Sequence, residues 1–154
     1  MSLLEQVRAA LTSGDGLNEA LRLTIEHFHT ESGTIHLLEP DGVLHLKAAS
    51  NSIPPVVREK VMLVPVGKGM AGLAVERKQP VSVCNLQTDV SGDVRPGAKA
   101  TGMEGAIVVP MLHRDEAIGA LGIANRTERV FSEDDTALLV EIGRTIAKWA
   151  SEHR

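Results

Sequence analysis

The stretch from Ala106 to Asn125 constrains the fold most, because it holds two apolar runs separated by a short polar break. Residues 106–112 and 117–124 flank residues 113–116, a break of the length that commonly joins antiparallel strands. We therefore expect a β-hairpin whose loop is this break. The expected facing pairs are Leu112 with Ala117, Pro110 with Gly119, and Val108 with Leu121.

Neither face of this hairpin is polar. One expected face carries Ile107, Val109, Met111, Ile118 and Ala120, and the other carries Val108, Leu112, Leu121 and Ile123. An antiparallel sheet with one solvated side alternates apolar and polar residues, so both faces of this sheet must be covered. The second strand is also poor in bulk, with Gly119, Ala120, Gly122 and Ala124, so a helix or a ligand can approach it closely.

The overall composition is that of a globular protein. The 154 residues are 43% hydrophobic and 23% charged, which fits one domain spanning residues 1–154 with a real core. The net charge of -4 and the scattered 16 basic residues argue against a nucleic-acid surface. No apolar stretch is long enough for a membrane span, the first residues do not form a signal peptide, and a single cysteine fits a reducing cytoplasm.

The remaining pattern predicts helices and strands in a mixed order. Amphipathic helices are expected at 2–11 and 17–29, short helices at 54–60 and 70–78, and a long helix from a capping serine at 132 to about 152. Strands are expected at 34–38, 43–49, 61–66 and 81–84. This order predicts an α+β fold with helices on both sides of an antiparallel sheet. Residues 85–105 have no sustained period, and a loop of that length is typically a lid or a binding loop.

Four segments together resemble the GAF domain family of small-molecule sensor modules, in order and spacing. They are SGTIHLLEPDGVLHLKAAS, VGKGMAGLAVERKQPVSV, AIVVPMLHRDEAIGALGIAN and FSEDDTALLVEIGRTIAKWA. The resemblance implies a GAF-like, PAS-related six-stranded antiparallel sheet with the terminal helices on one face. It also implies a pocket on the other face, closed by the short helices and by the loop 85–105 as a lid.

The cyclic-nucleotide signature of that family is matched only in part. Asn125-Arg126, Phe131 and Asp135 agree with it, but Thr136 stands where a glutamate is expected. The partial match does not establish a cyclic-nucleotide site. We expect instead an ion pair between Arg126 and Asp135 that holds the last helix to the sheet.

A glycine run, Gly67-Lys68-Gly69-Met70-Ala71-Gly72, satisfies G-x-G-x-x-G between a strand and a helix. Pro65 interrupts the preceding strand and no doubly wound series follows, so a tight turn with close backbone packing is favoured over a dinucleotide fold. A second functional interpretation stays open, because helix amides near Lys68 could hold an anionic group.

Two histidines are expected to lie together, and one cysteine is available for chemistry. His36 and His45 would sit nearly opposite each other on the first hairpin, on one face, with no third metal ligand aligned. Cys84 lacks the companion cysteine in the lid on which free methionine sulfoxide reductases of this family rely. We therefore expect a packed thiol, no catalytic residues and no metal site.

The sequence thus predicts a cytoplasmic domain that binds an unidentified small molecule for signal transduction without transforming it. The expected ligand-binding residues are His36, His45, Lys68, Met70, Leu73, Arg95 and Met103. The cofactor is left unknown. An alternative is a ligand-free dimerisation module, a homodimer formed through the terminal helices, and a third possibility is methionine sulfoxide reduction.

Overall fold

The computed structural model describes residues 1–89, 91, 94, 99 and 102–153. The strands in this part of the chain are β1 (Ser32–Leu38), β2 (Val43–Ala49), β3 (Leu63–Pro65), β4 (Val81–Val83), β5 (Ala106–His113) and β6 (Glu116–Ala124). They form one sheet in the order β3-β2-β1-β6-β5-β4, and every pairing is antiparallel. Pro65 therefore lies in an edge strand, where its missing N–H breaks no ladder bond.

The described helices are α1 (Leu3–Leu11), α2 (Gly16–His27), α3 (Pro55–Lys60), α4 (Gly69–Arg77) and α5 (Glu133–Glu152). Serine caps begin the first and the last of them. The Ser2 hydroxyl accepts from the Glu5 amide at 3.1 Å, and the Ser132 hydroxyl accepts from the Asp135 amide at 3.0 Å. Each cap satisfies an amide that the helix itself leaves without a partner.

One face of the sheet is covered by α1, α2 and α5. Their inward side chains form one apolar cluster with the sheet, whose most deeply buried members include Val7, Leu21, Ile35, Val109, Met111, Leu121, Leu139, Ile142 and Ile146. Full burial of each larger side chain contributes about 1.5–3 kcal/mol. This face therefore holds most of the hydrophobic core, as the apolar stripe of α5 predicts.

The other face is covered by α3 and α4. Two smaller buried clusters lie there, one around Met70 and Met103 and one around Leu44 and Val75. Both faces are covered, which confirms the expected α+β fold. None of the described helices is long and apolar enough to cross a lipid bilayer.

The central hairpin differs from the expected register. Arg114 and Asp115 both have positive φ, 51° and 65°, as in the two-residue turn that matches strand twist best. The strands therefore reach His113 and Glu116. Leu112 does face Ala117, but a bulge between Met111 and Leu112 shifts every pair farther from the turn by one residue.

This shift exchanges the expected faces on β6. Val108 faces Gly122 rather than Leu121, and Pro110 faces Ala120 rather than Gly119. Leu121 and Ile123 belong to the helix-side cluster, whereas Ala120 packs on the opposite side. A one-residue slip inverts a strand, and hydrophobic periodicity does not show a bulge in a hairpin that is apolar on both faces.

Candidate functional site

A cavity of about 400 Å³ lies on the face of the sheet opposite the terminal helices. Strands β1, β5 and β6 supply its floor, while α3, β3 and the start of α4 supply its walls. The lining residues are Ser32, Gly33, Thr34, His36, Ile53, Val57, Lys60, Val61, Val64, Gly69, Met70, Ala71, Leu86, Ala106, Val108, Gly122, Ile123 and Ala124. Most of the lining is apolar, with a few polar groups among it.

Small residues on β6 leave room in the floor. Gly122 faces Thr34 on β1, and a methyl group at Gly122 would lie 3.6 Å from the Thr34 hydroxyl and 3.1 Å from Val108 Cγ2. Gly119 has another role, because a methyl group there would collide with the main-chain oxygen of His36. One glycine therefore opens the cavity, and the other allows β1 and β6 to pair closely.

His36 is a buried polar residue of the cavity floor, 3% exposed. Its Nε2 lies 2.8 Å from the carbonyl oxygen of Val61. A carbonyl oxygen only accepts, so Nε2 carries the proton and donates. Burial lowers the pKa of His36, although the Val61 bond opposes the shift, and the neutral ring then presents Nδ1 as an acceptor. That atom is buried and has no hydrogen bond within the described residues.

His45 does not join His36, contrary to the expected pairing. A register shift between Ile35 and His36 places His45 opposite Leu37 instead. Leu37 belongs to the helix-side cluster, so His45 lies on the other face of the sheet from the cavity. Its Nε2 is 2.8 Å from Asp41 Oδ2, and this hydrogen bond lowers the pKa of Asp41.

The other expected ligand-binding residues are divided between the cavity and its surroundings. Met70 lines the cavity, whereas Leu73 and Met103 pack in the cluster beside it. Lys68 is the N-cap of α4 and is not among the lining residues. Arg95 lies outside the described residues.

Sequence analysis expected the short helices to close the cavity, but it did not name the lining residues within and beside α3. Ile53, Val57 and Val61 line the cavity, and their spacing of four residues is the signal that predicts one helical face. Lys60 was also missed. It is an exposed side chain on the cavity wall and the one cationic residue among the described lining residues.

The glycine run before α4 forms a tight turn. Gly67 and Gly69 have φ of 87° and 65°, a region that glycine enters without strain. The Gly67 amide donates to the carbonyl oxygen of Gly72 at 2.9 Å, and a methyl group at Gly72 would collide with the main-chain oxygen of Pro65. The run serves close backbone packing, and the antiparallel sheet around it is not a dinucleotide fold.

The start of the predicted lid is fastened to the strands. The Leu86 amide donates to the Glu104 oxygen at 2.6 Å, and the Glu104 amide donates to the Asn125 oxygen at 2.7 Å. The Asn85 side chain also donates to Glu128 Oε1 at 2.8 Å. Residues 90, 92, 93, 95–98, 100 and 101 of the predicted lid lie outside the described residues.

The segment between β6 and α5 is fixed by Arg129 rather than by Arg126. Arg129 lies over the ring of Phe131 at 4.5 Å and its Nη2 is 3.8 Å from Asp135. The expected Arg126–Asp135 ion pair is therefore wrong. The main-chain amide of Arg126 instead donates to Glu31 Oε2 at 2.8 Å, which anchors residue 126 at the start of β1.

Metal and thiol chemistry have little support in the described part of the chain. It contains no group of three histidine, cysteine or acidic side chains placed to hold a metal ion. Cys84, directly after β4, is exposed rather than packed as expected, and it forms no disulfide.

The fold agrees with solved GAF structures. The GAF domain of Acinetobacter phosphoenolpyruvate-protein phosphotransferase is similar at a TM-score of 0.81 and 20% identity, covering 97% of this chain and 90% of that chain. The corresponding domain from Coxiella burnetii is similar at a TM-score of 0.81 and 18% identity, covering 97% of this chain and 91% of that chain. Free methionine-R-sulfoxide reductase from Neisseria meningitidis, in complex with its substrate, is similar at a TM-score of 0.77 and 20% identity, covering 96% of this chain and 85% of that chain.

At these identities the structural likeness shows the fold alone. A comparison with curated proteins gave no match. The family model for the GAF domain, however, matches residues 11–148, which is most of the sequence. The chain therefore belongs to the GAF domain family.

Proposed function

We propose that this GAF domain is a regulatory module that binds a small molecule in the cavity beside β1 and β6. The observation that carries the proposal is the cavity itself, about 400 Å³ and largely apolar with few polar groups. Ligand sites commonly occupy about 300–1,000 Å³ with this mixture of lining. The ligand is recognised and released unchanged.

A hydrogen-bonded path supports the transfer of a binding event to the terminal helices. Leu86 lines the cavity and connects through Glu104 to Asn125 by main-chain bonds of 2.6 and 2.7 Å. The Asn125 Oδ1 accepts from Arg129 Nη1 at 3.0 Å, and Arg129 contacts the residues that precede α5. A ligand that moves Leu86 therefore acts on a chain of contacts ending at α5.

The experiment that tests the proposal is native mass spectrometry of freshly purified protein, followed by thermal shift with a small-molecule library. We expect a co-purified mass, or a library member that raises the melting temperature. Ligand at 100 times its Kd adds about 2.7 kcal/mol to the free energy of unfolding. A protein without a co-purified mass that no library member stabilises contradicts the proposal.

The absence of catalysis is part of the proposal. Free methionine-R-sulfoxide reductases share the fold, but this sequence has a single cysteine, and Cys84 is exposed. An oxidised thiol is released as a disulfide by a second thiol, and this chain has none of its own to supply it. Turnover of free methionine-R-sulfoxide that is lost on Cys84→Ser would overturn this part.

A second candidate function, homodimerisation through the terminal helices, is favoured by the charges of α5. The exposed stripe of that helix carries Asp134 and Glu141 toward its start, Arg144 and Lys148 after them, and Glu152 at its end. Two copies packed antiparallel about a twofold axis near the middle of the helix would set Glu141 of each copy against Arg144 of the other. The middle of the stripe is therefore complementary to itself.

Sedimentation equilibrium tests the dimer. We expect association at micromolar concentration, weakened by salt because exposed charges are screened. The double variant Arg144→Glu, Lys148→Glu should dissociate the dimer, and adding Asp134→Lys and Glu141→Lys should restore it. A monomer at every concentration contradicts this candidate.

The proposal also includes a cytoplasmic location, which the single cysteine favours. It includes no nucleic-acid partner, because the net charge is -4.

A further inference from the structure

Two hydroxyl side chains, those of Ser32 and Thr34, lie on the cavity floor without a hydrogen-bond partner among the described residues. They stand two residues apart on β1 and therefore point to the same face of the sheet. Ser32 is 4% exposed, and Thr34 is half-buried. Within the described residues the fully enclosed side-chain polar atoms without a partner are His36 Nδ1 and Arg58 Nε. The two hydroxyls are not among them, so both keep surface that a molecule in the cavity can contact.

The neighbouring strand leaves the space beside these hydroxyls open. On β6, Ala124 faces Ser32 and Gly122 faces Thr34. A methyl group built at Gly122 would lie 3.6 Å from the Thr34 hydroxyl, so this oxygen borders the space over Gly122. Residues as small as glycine and alanine do not cover a hydroxyl on the adjacent strand. A ligand that lies on the floor can therefore reach both oxygens.

The fold gains little from either hydroxyl. A hydroxyl that leaves water without forming a hydrogen bond costs free energy. Valine has the shape of threonine and suits a strand equally well, so strand formation at Thr34 does not require the oxygen. Polar groups left open in a binding site discriminate strongly, because an analogue that lacks the matching group leaves them unsatisfied. Ser32 and Thr34 thus have the chemistry of specificity-determining residues.

The other polar side chains of the cavity favour an uncharged ligand. His36 Nε2 is engaged with the Val61 oxygen, and its Nδ1 is enclosed. Among the described lining residues none is acidic, and Lys60 is exposed, so that its charge stays in water. A charged group that lay over the floor would lose its water without gaining an ionic partner, which is costly. The floor is therefore suited to a neutral polar group.

The spacing of the hydroxyls indicates which neutral group fits. Residues two apart on a strand are separated by about 6.6 Å, whereas two hydrogen bonds to one shared atom span at most about 5.6 Å. The hydroxyls are therefore suited to two neighbouring ligand atoms. Each hydroxyl can donate or accept, so the pair matches an acceptor beside a donor. The oxygen and nitrogen of a carboxamide have this arrangement.

We propose that the cavity selects an uncharged, largely apolar molecule that carries a carboxamide, with Ser32 and Thr34 as its specificity-determining residues. One hydroxyl donates to the amide oxygen, and the other accepts from the amide N–H. The apolar body of the molecule lies against Val57, Val64 and Val108, which line the cavity. This inference rests on the proposed function, since it names the class of molecule that the same cavity binds.

Matched pairs of amides and acids test the selection. Indole-3-acetamide is compared with indole-3-acetate, and cyclohexanecarboxamide with cyclohexanecarboxylate, by ligand-observed NMR titration at neutral pH. Each amide should bind the native protein at least about tenfold tighter than its acid, because the ionised acid must shed water from its charge. Equal or tighter binding of the acids, or no binding of either amide at millimolar concentration, overturns the inference.

Two variants that keep the shape of the floor test the residues. Ser32→Ala and Thr34→Val each remove one hydroxyl, and each should weaken binding of the amides about fivefold, the factor of one net hydrogen bond. Ser82→Ala is the matched control, since Ser82 is exposed on β4 and does not line the cavity. It should bind the amides as the native protein does. Native affinity for the amides in both hydroxyl variants contradicts the assignment.

Urea denaturation of the same variants separates recognition from folding. Ser32→Ala and Thr34→Val should be at least as stable as the native protein, because neither hydroxyl has a partner to lose. A clear loss of stability in both would show that the hydroxyls serve the fold, and the inference would fail. The proposed function is judged separately by the co-purified mass and the library screen. A charged molecule found there overturns this inference and leaves the proposed function standing.

Discussion

Arg129 donates from Nη1 to the main-chain carbonyl oxygen of Phe28 at 2.6 Å, joining the segment before α5 to the end of α2. The Phe28 oxygen lies at a helix C-terminus, where carbonyl groups lack partners within the helix. The positive charge of the guanidinium also suits the negative end of the helix dipole. One side chain thus links two of the helices that cover the core.

Removing this link should destabilise the domain. Arg129→Ala is expected to lower the free energy of unfolding by about 2 kcal/mol, the loss of hydrogen bonds from a charged group to Phe28 and Asn125. Arg129→Lys should recover only part of it, because one ammonium cannot reproduce the planar fork. Urea denaturation measures the change. Arg144→Ala is the control, since Arg144 is exposed and its pair with Glu141 at 3.6 Å is worth at most about 1 kcal/mol; equal losses in both variants would refute the assignment.

The glycine run before α4 makes a prediction about packing. Gly72→Ala should cost about 3 kcal/mol, because the added methyl group meets the main-chain oxygen of Pro65 and neither backbone segment can yield cheaply. Gly14→Ala is the matched control, since nothing lies within 4 Å of a methyl group there. Thermal unfolding of both variants compares them. A Gly72→Ala protein as stable as Gly14→Ala would show that α4 can move away from β3.

The order of elements was predictable from the sequence, because long apolar periods and strong caps decide it locally. The Ser132 cap, the stripe of α5 and the central hairpin were all found. The face of each strand residue was not, because it depends on bulges after Ile35 and after Met111. A bulge adds one extra residue to a strand, and tertiary packing decides where that residue lies. A hairpin that is apolar on both faces carries no polar residue that would show the position of the bulge.

The same limit explains the mixed result for the cavity residues. His36 and Met70 were found because both lie on segments whose role follows from the family fold. His45 was misplaced by the register shift. The apolar lining residues around α3 were not named, because only Val57 lies within that short helix and the spacing of four continues into the residues that flank it. Arg129 was missed as the partner of Asp135, since two arginines stand close together in the sequence and spacing alone does not choose between them.

The buried ring of His36 predicts how stability depends on pH. Burial lowers the pKa of His36 from its ordinary value of 6.5, so the unfolded chain takes up a proton below pH 6.5 that the folded chain refuses. Stability that is complete above pH 6.5 is therefore lost as the pH falls toward the lower folded pKa, by up to about 1.4 kcal/mol per pH unit. Among the described lining residues the other ionisable side chain is Lys60.

Urea denaturation between pH 7.5 and pH 5 measures this slope. His36→Gln should have a shallower dependence than the native protein by up to the equivalent of one proton. Identical slopes in the native protein and in His36→Gln would mean that His36 titrates normally when folded.

Filling the cavity separates binding from folding. Ala71 lines the cavity from the first turn of α4, and Ala71→Leu adds an isopropyl group there while keeping a residue with high helix propensity. The variant should fold with a melting temperature equal to or above that of the native protein, because apolar surface replaces open space. Binding of any small molecule that stabilises the native protein should fall at least tenfold. Ala9→Leu, on an exposed position of α1, adds the same group away from the cavity and should bind as the native protein does. A ligand that binds Ala71→Leu with native affinity would have to bind elsewhere on the domain. That outcome would contradict the assignment of the cavity as the sensory site.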